Sequence, residues 1–334
     1  MRAAWFETTG PAEKVLKIGD WPDPEPAIGE VRVKLHTSGI NPSDVKKRDG
    51  QSPLFADLPV IPHSDGAGVI DAVGAGVPKT RIGERVWVYQ AQYQRRFGTA
   101  AVFVSLPAPR AVRLPEKASF AEGACLGIPA MTAHRCVFAD GNVAGRSVLV
   151  TGAGGRVGFY AVQWAKWGGA RVFATVGGDA NALAARDAGA DVVINHRTDD
   201  VAKAVLDATD GAGVDRIVEV EFGRNLATAT KVIRAGGVIA TYASSGERTP
   251  ALPFYPLMFK DVTIRLVLVY AMAEQAKRTA AADIVRFLDE GHLQHRIGAS
   301  FALKDIAKAH QAIERGVAGC VVVDLTEPRA KKSK

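Results

Sequence analysis

The sequence predicts an α/β protein in two parts, a β-rich unit followed by a parallel sheet covered by helices. Three observations predict it. The first third of the chain reads as short strands and turns without crossover helices. From Ser119 onward, apolar runs alternate strictly with helical spacings. The segment VLVTGAGGRVG, Val148 to Gly158, passes from a strand into a helix through a cluster of glycines. With 334 residues, 47% hydrophobic and 23% charged, the chain has material for two domains with separate cores. Its 34 glycines fall in turns and follow no repeat, which excludes collagen-like, coiled-coil and disordered classes.

Taken in order, Pro22, Pro24 and Pro26 form an extended connector before a strand at 31–36. Val31, Val33 and Leu35 share one side of that strand, as a half-buried strand requires. Further strands at 68–74 and 83–89 are bounded by glycine turns. A helix is expected over 120–139, broken at Pro129. Strands at 147–151, 170–176, 192–195, 216–220 and 237–242 then alternate with helices at 157–167, 180–188, 201–208 and 226–234. A long final strand spans 263–270. Two helices, 274–289 and 303–314, and a strand at 319–325 are expected to return to the first part, since they are poor material for a third core. The domains are therefore set at 1–122, 123–271 and 272–334, the last segment rejoining the first.

No apolar run approaches the ~20 residues that span a bilayer, and the N-terminus has no apolar signal region, so a cytoplasmic location is expected. Cys125, Cys136 and Cys320 are too few and too scattered for a disulfide framework or a four-cysteine zinc site. The net charge of +7 suits an anionic cofactor, a nucleic acid or a membrane surface without choosing among them. Part of it lies in the tail 328–334, read as a solvated end.

The glycine turn carries the most information. Matched to G-x-G-x-x-G it places Ala153 at the first glycine position, then Gly155 and Gly158, with Arg156 and Val157 between them. Gly155 lets the backbone approach a pyrophosphate, Gly158 lets the helix pack on the strand, and the helix N-terminus offers free N–H groups. The second strand ends Thr175, Val176, Gly177, Gly178, without the acid that holds a ribose 2′-hydroxyl in NAD-selective sites. His196 and Arg197, just after the third strand, would lie near that tip and could hold a 2′-phosphate; the alternative is a pair of surface loop residues. NADPH is the expected cofactor.

At this point the chain resembles the quinone oxidoreductases, the zeta-crystallin-like branch of the medium-chain dehydrogenase/reductase superfamily. The marks are PEPAIGEVRV (24–33), GINPSD (39–44), PHSDGAGV (62–69), AVGAGV (72–77), PAMTA (129–133), the turn at 152–158, and GADVVINHR (189–197). The resemblance implies a GroES-like catalytic domain with a Rossmann domain inserted before its last segment and a cofactor in the cleft between them. Thr132 and Ser244 join the expected cofactor residues. Where zinc-dependent alcohol dehydrogenases place a cysteine and a histidine, this chain has Asn41 and Ser64, poor zinc ligands. No metal is expected, and without a Lewis acid the reaction favours acceptors that are already electrophilic, such as quinones or enones.

Asn41 is the expected hydrogen-bond donor to the acceptor oxygen, the alternative being a turn-forming residue before Pro42. His63, where relatives commonly have glycine, is expected at the cleft floor as a second catalytic candidate that titrates near neutral pH. The alternative is a histidine that only bonds the backbone after Pro62. The chain departs from the family at Lys46 and near Ser52, where tyrosines are common, at Asn181, and at Cys320, where a lysine is common. Cys320 is read as a packed strand residue. Three functions compete: an NADPH-dependent quinone reductase, an enone or enal reductase, and an NADPH-holding structural or RNA-binding protein with Lys46, Lys47, Arg48 and the tail as its footprint. A homodimer is expected through the strand edge at 264–269.

Overall fold

The computed structural model describes residues 1–53 and 57–326; the basic tail at 328–334 lies outside them. The chain divides into two units, Met1–Ile128 with Ala281–Lys334, and Pro129–Ala280. The expected divisions at 122/123 and 271/272 fall before these two crossings. The strands of the first unit are β1 (Arg2–Trp5), β2 (Lys17–Asp20), β3 (Glu30–Ile40), β4 (Asp65–Val73), β5 (Arg85–Val88), β6 (Phe103–Pro107) and β7 (Ala111–Arg113). The second unit contributes β8 (Ser147–Val150), β9 (Arg171–Val176), β10 (Val192–Asn195), β11 (Val214–Glu219), β12 (Ile233–Thr241) and β13 (Thr263–Leu266). The chain then returns with β14 (Ile297–Ala302) and β15 (Cys320–Asp324).

In the first unit the sheet runs β14-β15-β3-β4-β5-β7, with β6 paired to β3. The C-terminal segment enters through β15, antiparallel to β3 with Val322 opposite Gly39. Val31, Val33 and Leu35 are buried, so the alternation read from the sequence does mark the inner face of β3. They pack with Val86, Val104 and Leu106 and with Ile306 and Ile313 from the helix Ile306–Glu314.

The second unit is a six-stranded sheet ordered β10-β9-β8-β11-β12-β13, every neighbouring pair parallel. The order reverses between β8 and β11, and ligands of such sheets bind outside the strand carboxyl ends at that reversal. The stretch 120–139 is three pieces: a helix Phe120–Gly123, a π-helical turn Leu126–Ala130 holding Pro129, and a helix Met131–Phe138. Ser119 starts the first piece, its hydroxyl accepting the Glu122 N–H at 3.2 Å. The final strand expected over 263–270 is shorter. Its partner β12 ends at Thr241, opposite Leu266, and apart from the Val267 N–H on the Thr241 carbonyl the ladder has nothing further to pair with.

Candidate functional site

In the second unit, β8 delivers the chain into a turn that only particular residues can make. Gly152 has φ +61°, the left-handed region that glycine enters without strain. The Ala153 N–H is spent on the Thr175 carbonyl at 2.9 Å, which ties the turn to β9. Gly155 caps the helix Arg156–Trp167, leaving Arg156, Val157 and Gly158 in its first turn, where backbone N–H groups lack helical partners. A side-chain carbon on Gly158 would sit 2.3 Å from the Gly152 carbonyl oxygen, so helix and turn are in direct backbone contact.

The tip of β9 bears no acid. Gly177 lies beneath two side chains that follow β10: a carbon at 177 would be 3.1 Å from His196 Nε2 and 3.4 Å from Arg197 Nε. Two cationic or hydrogen-bonding groups thus close over a glycine where NAD-selective sheets place a carboxylate. Asn181 packs over the turn itself, against Gly154.

A crevice of about 330 Å³ opens at the carboxyl ends of the strands beside the reversal, lined by Thr151, Thr175, His196, Glu219, Arg224 and Asn225 among others. Of the expected residues, His196 lines it; Ala153, Gly155, Arg156, Val157, Gly158, Gly177, Arg197 and Ser244 do not, nor does Thr132, which is buried in the helix Met131–Phe138. Glu219, at the end of β11, went unread in the sequence. Its carboxylate accepts the Thr151 hydroxyl at 2.9 Å, the Asn225 amide at 2.8 Å and the Glu221 N–H at 2.6 Å, while burial pushes its pKa up. An acid ending an apolar strand was the available signal. Glu221 in turn accepts the N–H groups of Ser245 and Gly246, and Ser244 Oγ accepts the Gly223 N–H at 3.0 Å. The loop holding Ser244 is thereby fastened to the start of the helix Phe222–Val232.

In the first unit, Asn41 follows β3 and precedes the helix Pro42–Arg48, with proline at its first position. Its N–H donates to Asp44 Oδ2 at 2.9 Å and its side-chain amide donates to Asp65 Oδ2 at 2.7 Å. Asp65 is fully buried, and burial pushes its carboxyl up to about 8. The residues at the two zinc positions do not fit that ion. The Asn41 amide is oriented toward a carboxyl that accepts from it, Ser64 offers only a hydroxyl, and among the described residues no three His, Cys, Asp or Glu side chains are grouped to hold a metal.

His63 is not exposed as the expected proton donor would be. It is 0% exposed, its Nδ1 2.9 Å from Ser38 Oγ and its Nε2 2.8 Å from His310 Nε2. Burial, with the Lys47 charge adding to it, lowers its pKa to about 3. A group so enclosed stays neutral near pH 7 and does not titrate between 6 and 8. His310 comes from the returning helix Ile306–Glu314, a pairing across the chain that no local pattern announces. Little of the basic run 46–48 is open as an electrostatic footprint. Lys47 pairs with Asp44 at 3.4 Å and reaches Gln92, and the fully buried Arg48 pairs with Glu314 and Asp49. Cys320 is buried in β15.

Residues 27–116 match the family described as alcohol dehydrogenase GroES-like domain, and residues 157–286 that described as zinc-binding dehydrogenase. A quinone oxidoreductase of Rattus norvegicus is 31% identical over 92% of this chain and 92% of its own. A crystal structure of an NAD-dependent alcohol dehydrogenase is 32% identical with a TM-score of 0.89, covering 98% of this chain and all of that one (100%). A mycobacterial protein solved in complex with NADPH is 27% identical with a TM-score of 0.86, covering 97% and 100%.

Proposed function

Because the chain belongs to the quinone oxidoreductase family of the medium-chain dehydrogenase/reductase superfamily, an oxidoreductase family, we propose that it is an NADPH-dependent, zinc-independent quinone reductase. The observation that carries the cofactor choice is the pair His196 and Arg197 over Gly177 at the acid-free tip of β9. A 2′-phosphate there meets charge-assisted donors and no repelling carboxylate. Gly155, Arg156, Val157 and Gly158 would hold the pyrophosphate at the helix N-terminus, with Ala153 shaping the turn and Ser244 completing the cofactor contacts. When bound, the cofactor supplies a hydride from its nicotinamide ring.

The remaining chemistry falls to Asn41. A quinone accepting hydride develops negative charge on a carbonyl oxygen, and an amide N–H directed at that oxygen stabilises the charge as it forms. The acceptor is electrophilic already, which suits a site whose residues are unfit for a Lewis-acid metal. His63 takes no proton-transfer step in this reading; it braces the segment that holds Asp65. The protein would act as a homodimer, joined through the β13 edge.

Replacing Arg197 with Ala tests the assignment. NADPH binding should weaken by about 1.5–3 kcal/mol, the worth of a hydrogen bond to a charged group, with NADH binding nearly unaltered. Equal losses for both cofactors would remove Arg197 from phosphate recognition.

A further inference from the structure

Asp65 is the first residue of β4, and both its side chain and its main chain are held. Oδ2 accepts two bonds, from the Asn41 amide at 2.7 Å and from the Ile128 N–H at 2.8 Å. Ile128 is the last residue before the chain leaves the first unit. Oδ1 has no hydrogen-bond partner and lies against Gly127, where a side-chain carbon would be 2.1 Å from it. The Asp65 carbonyl accepts the Thr99 hydroxyl at 2.6 Å. Thr99 Oγ1 is 2.8 Å from Ser38 Oγ, and Ser38 meets His63, which meets His310. A row of buried polar groups therefore ends at this one aspartate.

An asparagine amide has two faces of nearly equal shape, one donating and one accepting, and something must choose between them. A carboxyl oxygen that already accepts one N–H selects the donating end of its neighbour. With one Nδ2–H fixed on Asp65, the plane of the Asn41 amide is set and the direction of the second N–H with it. We propose that Asp65 is the positioning residue of the reductase reaction: together with the Asp44 N–H that the Asn41 side chain accepts in a capping box, it fixes the plane of the Asn41 amide so that the second N–H is presented to the acceptor oxygen, and the Ile128 N–H and Gly127 hold the carboxyl in place. This rests on the reading of Asn41 as donor in the proposed function. The role is indirect, since Asp65 acts through Asn41 and not on the substrate.

The test is a double-mutant cycle read on kcat with 1,4-benzoquinone and on NADPH affinity separately. Asn41→Ala and Asp65→Ala should each lower kcat about a hundredfold or more, the scale of a lost oxyanion donor, with cofactor affinity constant. The double variant should be no worse than either single one. Asp65→Asn, which keeps an acceptor for both N–H groups, should recover most of the loss. A purely structural Asp65 would instead give losses that multiply in the double variant, and that result overturns the proposal. If Asn41→Ala turns over benzoquinone at the original rate, the donor reading fails first and the proposal falls with it; a lowered rate in Asp65→Ala alone would mark that case. Should Asp65→Ala fail to fold, Gly127→Ala displaces the same carboxyl without removing it. It should lower kcat in the original chain but not in the Asn41→Ala background, and equal effects in both would again overturn the proposal.

Discussion

Two buried groups of the first unit push stability in opposite directions with pH. His63 is held neutral down to about 3, against 6.5 when exposed, so between those values the folded chain binds fewer protons than the unfolded one. Its contribution is full above 6.5 and is lost as pH falls toward 3. Asp65 is raised to about 8 from 3.8, so the folded chain binds more protons over that window and stability falls as pH rises through it. Chemical denaturation across pH 4 to 9 checks both signs. His63→Gln should flatten the acid limb, and Asp65→Asn should flatten the decline toward pH 8. His63→Gln should leave the pH profile of kcat between 6 and 8 as it was; a profile that lost its slope there would restore His63 as a proton donor. The glycine turn was legible in the sequence because turn chemistry is local, whereas Asn41 was reached only through its match to the family motif. Asp65 stood inside a recognised motif, yet only its burial gives it meaning, and His310 reaches His63 across 247 positions of sequence.

Elements were legible where a pattern of period two or 3.6 ran against one buried face, as in β3 and in the helix Arg156–Trp167. They were lost where the partner decides. β13 stops at Leu266 because β12 ends, although the apolar run continues through Tyr270. The edge strands β1, β2, β6, β7 and β14 are short or half-exposed and carry little alternation of their own. In the proposed function the strand-to-helix turn is the element on which cofactor binding would depend most. Gly158→Ala places a carbon against the Gly152 carbonyl, which is backbone and gives way poorly. The variant should lose about 1–3 kcal/mol in denaturant unfolding, the range for an overpacked contact, and NADPH affinity should fall with it. An affinity that survives intact would mean the helix N-terminus does not hold the pyrophosphate.

At the scale of the whole molecule, β13 is the last strand of its sheet; Leu266 at its end and Leu268 just after it are 78% and 57% exposed. Tyr255 and Phe259, at the short helix Phe254–Met258, are exposed in the same unit. An apolar edge of this kind pairs with a copy of itself or aggregates. Light scattering at micromolar concentration should give a dimer, and Leu266→Lys should shift it toward monomer; a monomeric parent chain would end the idea. The order of parts is readable in the sequence because strict β-α alternation and a returning tail leave few arrangements. One assay reaches the proposed reaction directly: initial rates of NADPH and NADH oxidation with 1,4-benzoquinone as acceptor, before and after exhaustive chelation. NADPH should be oxidised in clear preference, and its rate should survive chelation. Equal rates with NADH, or a tightly bound zinc that leaves together with the activity, would contradict the proposed reaction.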